Sequence, residues 1–159
     1  MYNDVILGQK TKEFENIARE MGFQKIINIK ELKLKIIQEE NYEKLRSVVS
    51  SNKIDILLNP HIQTKKDNPH FRMSGLDHVL CKELHNKNIK VAITLDTLTN
   101  YTEIGRAMQN IRLCRKYKVK ILFFTFAKTP YELRSVKDLQ SFLKILGMTG
   151  EEVGEATKL

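Results

Sequence analysis

Three short apolar runs, Ile54–Leu58, Ile89–Leu95 and Val119–Phe126, constrain this chain most. Each is rich in β-branched or aromatic residues, and each gives way to a polar loop and then a helical pattern. After the first run, Ser74 stands ahead of an apolar-periodic stretch with Asp77 three residues later. That spacing predicts a helix opening at Ser74, with Leu76, Val79, Leu80 and Leu84 on one face. After the second, Ile104, Ala107, Met108, Ile111 and Cys114 form a buried stripe reaching about Tyr117. After the third, Leu139, Phe142, Leu143 and Leu146 face inward from a helix over Val136–Leu146. Strand followed by helix, repeated, predicts a mainly parallel sheet with right-handed crossovers.

The chain ahead of Ile54 continues the alternation more weakly. Val5–Leu7, Lys25–Lys30 and Leu32–Ile37 read as strands, and Lys10–Met21 as a helix stopped by Gly22. Tyr42, Leu45, Val48 and Val49 make a second stripe ending near Ser50–Asn52, and Gly150–Lys158 reads as a short terminal helix. Six or seven candidate strands are fewer than the eight of a full βα barrel, so an incomplete barrel and an open doubly wound sheet both fit. A length of 159 residues with 42% hydrophobic content supports one core, hence one βα-repeat domain over 1–159. In either architecture the loops after the strands share one rim. Lys65, Lys66 and Arg72, then Asp96, Thr99 and Asn100, then Lys128, Tyr131 and Arg134 are expected there.

The net charge of +8 is unevenly spread. Residues 1–52 are nearly balanced, whereas 53–148 carry seventeen Lys/Arg against eight Asp/Glu. Between 104 and 137, nine basic residues (Arg106, Arg112, Arg115, Lys116, Lys118, Lys120, Lys128, Arg134 and Lys137) face a single acid, Glu132. A mixed solvated face would carry both signs, so this excess points to a polyanion, most simply nucleic acid. The aromatics add no clear stacking platform: Phe123, Phe124 and Phe126 belong to an apolar strand, while Tyr101 and Tyr131 sit in loops. No apolar run is long enough to cross a bilayer, and Met1-Tyr2-Asn3-Asp4 does not begin a secretory leader. The expectation is a soluble cytoplasmic chain, with no membrane partner, whose Cys81 and Cys114 are buried thiols.

Several chemistries lack support. There is no Walker loop, no GxGxxG and no serine-hydrolase elbow. His61, Asp67, His70, Asp77, His78 and Asp96 offer ligand types for a metal-dependent phosphoesterase, but without an HxH pair or HExxH spacing. A capping carboxylate and exposed loop imidazoles are the better account of them.

Read together, SGLDHVLCKEL (74–84), RAMQNIRLCRKYKV (106–119) and KTPYELRSVKDLQSFLKILGM (128–148) resemble the ribonuclease P protein component 3 family, over about Ile54 to Met148. The resemblance implies a TIM-barrel-like βα repeat similar to that of the polymerase-and-histidinol-phosphatase phosphoesterases, here as a reduced barrel. Members carry additional βα units ahead of the point matching Met1. It also implies a subunit that pairs with protein component 2 and other subunits, and that supports the catalytic RNA in removing 5′ leaders from precursor tRNA. The RNA, with Mg²⁺, would do the chemistry, and the protein would bind no cofactor. The expected RNA-binding residues are Lys65, Lys66, Arg72, Arg106, Arg112, Arg115, Lys116, Lys118, Lys128 and Arg134, with no catalytic side chain. A small metal-dependent phosphoesterase of the same fold is the alternative.

Overall fold

The alternation of strand and helix read from the sequence is the alternation found in the computed structural model, which describes residues 2–51 and 53–159. In chain order the elements are β1 (Asn3–Ile6), α1 (Lys12–Glu20), β2 (Lys25–Asn28), β3 (Ile36–Gln38), α2 (Tyr42–Ser51), β4 (Ile56–Leu58) and α3 (His78–Asn86). They continue with β5 (Lys90–Thr94), α4 (Tyr101–Tyr117), β6 (Ile121–Phe124), α5 (Val136–Ile145) and α6 (Gly150–Ala156). The strands form two sheets, β1-β2 and β3-β4-β5-β6, and every registered pair is parallel. This is an α/β fold with parallel sheets. Of the expected end of α2 at Ser50–Asn52, Asn52 lies outside the described residues.

Strands are shorter than the apolar runs that encode them, for local reasons. Asn59 closes β4 at φ +47° and Phe126 follows β6 at φ +55°, left-handed conformations that cannot continue a ladder. The expected strand Leu32–Ile37 is corrected to Ile36–Gln38, because its partner β4 begins only at Ile56. Ahead of that register Asp55 takes over: its carboxylate accepts from the Lys35 N–H at 2.7 Å and its own N–H donates to the Lys35 carbonyl at 2.9 Å.

The chain divides into two compact units. The first comprises residues up to Lys33, Thr94–Asp96 and Leu122–Leu159. In it β1 pairs with β2, and the segment leaving β6 runs along β1, with the Phe126 N–H on the Val5 carbonyl at 3.1 Å. Asp4, buried on β1, accepts from the Thr125 N–H at 2.8 Å and from the Thr125 hydroxyl. Burial pushes its carboxyl up to about 6, against those bonds. Phe123, Phe124 and Phe126 are core side chains, as expected of an apolar strand.

The second unit comprises Leu34–Ile93 and Thr97–Ile121. Leu45 and Val49 of α2, Leu80, Cys81 and Leu84 of α3, Leu57 of β4, Val91 of β5 and Cys114 of α4 share one core. Both cysteines are buried thiols. The helix expected to open at Ser74 opens instead at His78, with Asp77 as its cap, accepting from the Leu80 N–H at 2.7 Å. Ser74 is occupied otherwise: its carbonyl accepts from the Asn110 side chain at 2.8 Å, and Gly75 follows at φ +81°. A Cβ at Gly75 would lie 1.9 Å from the Pro60 carbonyl oxygen, so the chain passes there only as glycine. Among the described residues no helix is long and apolar enough to cross a membrane.

Candidate nucleic-acid interface

Two cationic features lie in the second unit: the loop between β4 and α3, and the C-terminal end of α4. The loop is held by Arg106. Residues 61–65 run without a neighbouring strand, so their carbonyls need other donors. The Arg106 guanidinium supplies them, donating to the carbonyls of His61 at 3.3 Å, Gln63 at 3.2 Å and Lys65 at 2.9 Å. Its Nε and second terminal nitrogen reach Asp67 Oδ1 at 2.9 and 2.8 Å. The guanidinium thereby makes four hydrogen bonds and an ion pair. The same Asp67 oxygen accepts from the Met73 N–H at 2.8 Å and so ties both ends of the loop together.

Arg106 was expected among the RNA-facing cations, yet it is 5% exposed and its charge is balanced by Asp67. Three loop carbonyls and the Asp67 carboxylate converge there, and α4 places Arg106 on its buried stripe beside Ala107 and Asn110. The other loop cations, Lys65, Lys66 and Arg72, are exposed. With Asp67 neutralised from inside, the charge this loop shows to solvent is positive.

The tip of the loop is a tight turn. Asn68 and Phe71 exchange backbone bonds at 2.9 and 3.2 Å around Pro69-His70, and the Asn68 side chain accepts from the His70 N–H at 3.0 Å. Phe71 leaves the turn 51% exposed. Leaving half a phenyl ring in water forgoes roughly 1 to 1.5 kcal/mol of burial. Arg72 folds back onto α4, where its guanidinium donates to the Gly105 carbonyl at 3.0 Å.

At the other end of α4, Arg112, Arg115 and Lys116 occupy positions i, i+3 and i+4, hence one face, and all are exposed. Lys118 then caps the helix at φ +57°, its carbonyl held by His85 Nδ1 at 3.0 Å. Glycine would adopt that conformation with about 1 kcal/mol less strain. Placing cations in the last turn suits the helix dipole. The sequence from Ile104 to Ile121 itself contains no acidic residue. Lys116 also lies 5.5 Å over the Tyr117 ring.

Lys128 and Arg134 belong to the first unit, in the loop after β6, and are exposed. Glu132 accepts from the Lys128 N–H at 2.7 Å, and the Arg134 guanidinium donates to the Leu133 carbonyl at 3.0 Å. Tyr131, 75% exposed, donates its hydroxyl to Glu13 at 2.8 Å, so it is a tethered side chain rather than an idle one.

The ligand types considered for a metal serve elsewhere. His61 is fully buried with Nε2 2.9 Å from the Thr97 hydroxyl, Asp67 holds Arg106, and Asp77 caps α3 while accepting from the Tyr42 hydroxyl. Burial raises the Tyr42 hydroxyl to about 12, reinforced by Asp77. Among the described residues no three His, Cys, Asp or Glu side chains gather to hold a cation.

Burial pushes the His61 imidazole down to about 4, with Glu103 opposing and Arg106 adding to the shift. Between pH 6.5 and 4 the unfolded chain therefore binds a proton the folded chain refuses, and acidification across that window removes stability. The full term is about 3 kcal/mol. We expect His61→Gln to flatten the acid side of a urea-unfolding series relative to the unmodified chain. Asp4 acts in the opposite sense, since its raised carboxyl favours the folded state as pH falls from 6. It is common to both proteins and cancels in the difference. Equal pH dependence in both would show that His61 titrates normally.

With this geometry in place, the likeness to known proteins is informative. A family model described as RNase P subunit p30 matches residues 16–158. Ribonuclease P protein component 3 of Methanocaldococcus jannaschii is 29% identical over 107 residues, covering 64% of this chain and 43% of that protein. The Methanosarcina acetivorans protein of the same name is 26% identical over 140 residues, covering 74% of this chain and 59% of that protein. The chain thus spans about half the length of the curated relatives it matches. A chain in the cryo-EM structure of archaeal ribonuclease P with mature tRNA superposes with a TM-score of 0.64 at 20% identity, covering 98% of this chain and 64% of that one. That last likeness is one of fold. The family match takes in β2 and every later element, including the Arg106 clasp and the basic end of α4: the chain belongs to the RNase P subunit p30 family.

Proposed function

We propose that this chain is a protein subunit of ribonuclease P that binds the catalytic RNA and supports it in removing the 5′ leader from precursor tRNA. The observation that carries the reading is the family match over residues 16–158. The physical part of the work follows from the surface. Exposed Lys65, Lys66 and Arg72 on a clasped loop, and Arg112, Arg115, Lys116 and Lys118 on a rigid helix end, neutralise phosphates without reading sequence. Lys128 and Arg134 add cations from the first unit. The RNA and its Mg²⁺ carry the chemistry, and the protein's share is to hold the RNA in its active shape. Protein component 2 and the other protein subunits are the partners this reading requires, precursor tRNA is the substrate of the assembly, and the cytoplasm is its place.

The experiment is reconstitution of precursor-tRNA cleavage from the catalytic RNA and partner proteins, with and without this chain. Cleavage that depends on the chain is the expected result.

A further inference from the structure

We propose that Phe71 and Arg72 form a seat for an unstacked base of a single-stranded RNA segment, with Tyr101 one helical turn away as a second stacking surface. This rests on the RNA-binding reading and names the part of the RNA that the loop takes.

Four observations carry it. Phe71 is half exposed at the tip of a turn fixed by its own backbone bonds and by the Arg106–Asp67 clasp, so its ring is presented rather than merely uncovered. Arg72 lays its guanidinium on α4 where Gly105 has no side chain; a Cβ there would meet the guanidinium at 3.1 to 3.5 Å. Tyr101, 95% exposed, precedes Gly105 by four residues and so shares that helix face with the seated guanidinium. Gln109 follows on the same face, bonds the Arg72 carbonyl at 3.4 Å, and lines a shallow open recess together with Phe71 and Arg72.

Aromatic rings and planar guanidinium groups are both surfaces on which bases stack, every base has a face to offer, and Phe71 and Arg72 line the same recess. The charge around the recess decides between RNA and an apolar partner. Lys65, Lys66 and Arg72 are exposed on the same loop, and its one acid, Asp67, is taken by Arg106. A polyanion with accessible bases fits that surface. Double-stranded RNA does not, because its bases stay in the helix.

The test measures binding of a labelled single-stranded RNA oligomer of mixed sequence, and of a duplex of equal length, to the full chain, to Phe71→Ala and to Phe71→Tyr, over a salt series. Phe71→Ala is expected to weaken single-strand binding roughly five- to a hundredfold, the range of one lost base stack, with the salt slope unchanged because no phosphate contact is removed. Phe71→Tyr should keep the affinity, and duplex binding should be the same for all three. Single-strand binding by Phe71→Ala within twofold of the unmodified chain overturns the seat and leaves RNA binding standing. A parallel loss on the duplex also overturns it, because stacking would then not be what was lost. An unmodified chain that binds neither RNA overturns the RNA reading itself.

Discussion

Replacing Arg106 with methionine is expected to lower the unfolding free energy by about 3 kcal/mol, the low end for breaking a buried ion pair, since Asp67 keeps some contact with water. Methionine fills the stem's volume, so the loss isolates the guanidinium. Three carbonyls and one carboxylate oxygen lose their donor together, and the loop from His61 to Met73 loses the side chain that holds its shape. Arg106→Lys keeps the charge but not the planar fork, and should recover well under half of the deficit. Urea unfolding, followed by circular dichroism, gives the number. The variant should also weaken single-stranded RNA binding, although Arg106 itself faces inward, because Lys65, Lys66, Phe71 and Arg72 all sit on the loop it holds. Unchanged stability in Arg106→Met would mean that the clasp is incidental.

The second large effect concerns the end of α4. Reversing Arg112, Arg115 and Lys116 to Glu together should reduce RNA affinity by at least two to three orders of magnitude at moderate salt, and should make the slope of log affinity against log salt shallower by about 2 to 3. Stability should fall far less than affinity does, because the three side chains are exposed. The separation of the two readouts is the point of the experiment. RNA affinity left intact would make this basic face incidental and favour a protein-adaptor role.

Much of the fold was legible in the sequence because β-branched runs and helical stripes are local signals. Ile89–Leu95 encodes β5, and the stripe from Ile104 to Cys114 encodes α4 up to its expected end at Tyr117. Boundaries that depend on distant residues were not legible. Ser74 has the chemistry of a helix cap, but Asn110, thirty-six residues away, claims its carbonyl, and the cap passes to Asp77. Leu32 and Leu34 alternate like a strand, yet the register with Ile56 leaves them outside the ladder.

The site divides in the same way. Arg112, Arg115 and Lys116 could be placed on an open face from spacing alone. Arg106 could not be told from them by charge, although its position beside Ala107 on the apolar stripe was a sign that it would need buried acceptors. Periodicity says nothing of Phe71. The turn chemistry of Asn68-Pro69-His70 was the available clue that its ring would stand out, but its proximity to Gly105 through Arg72 is a tertiary fact no local pattern carries.

The proposed support of catalysis by ribonuclease P RNA is tested most directly by the rate of 5′-leader removal from precursor tRNA in a reconstituted assembly. Catalytic RNA and partner proteins at limiting Mg²⁺ should cleave slowly without the chain, faster with it, and no faster than the omission control with the Arg112/Arg115/Lys116 reversal. A rate indifferent to the presence of the unmodified chain would contradict the account.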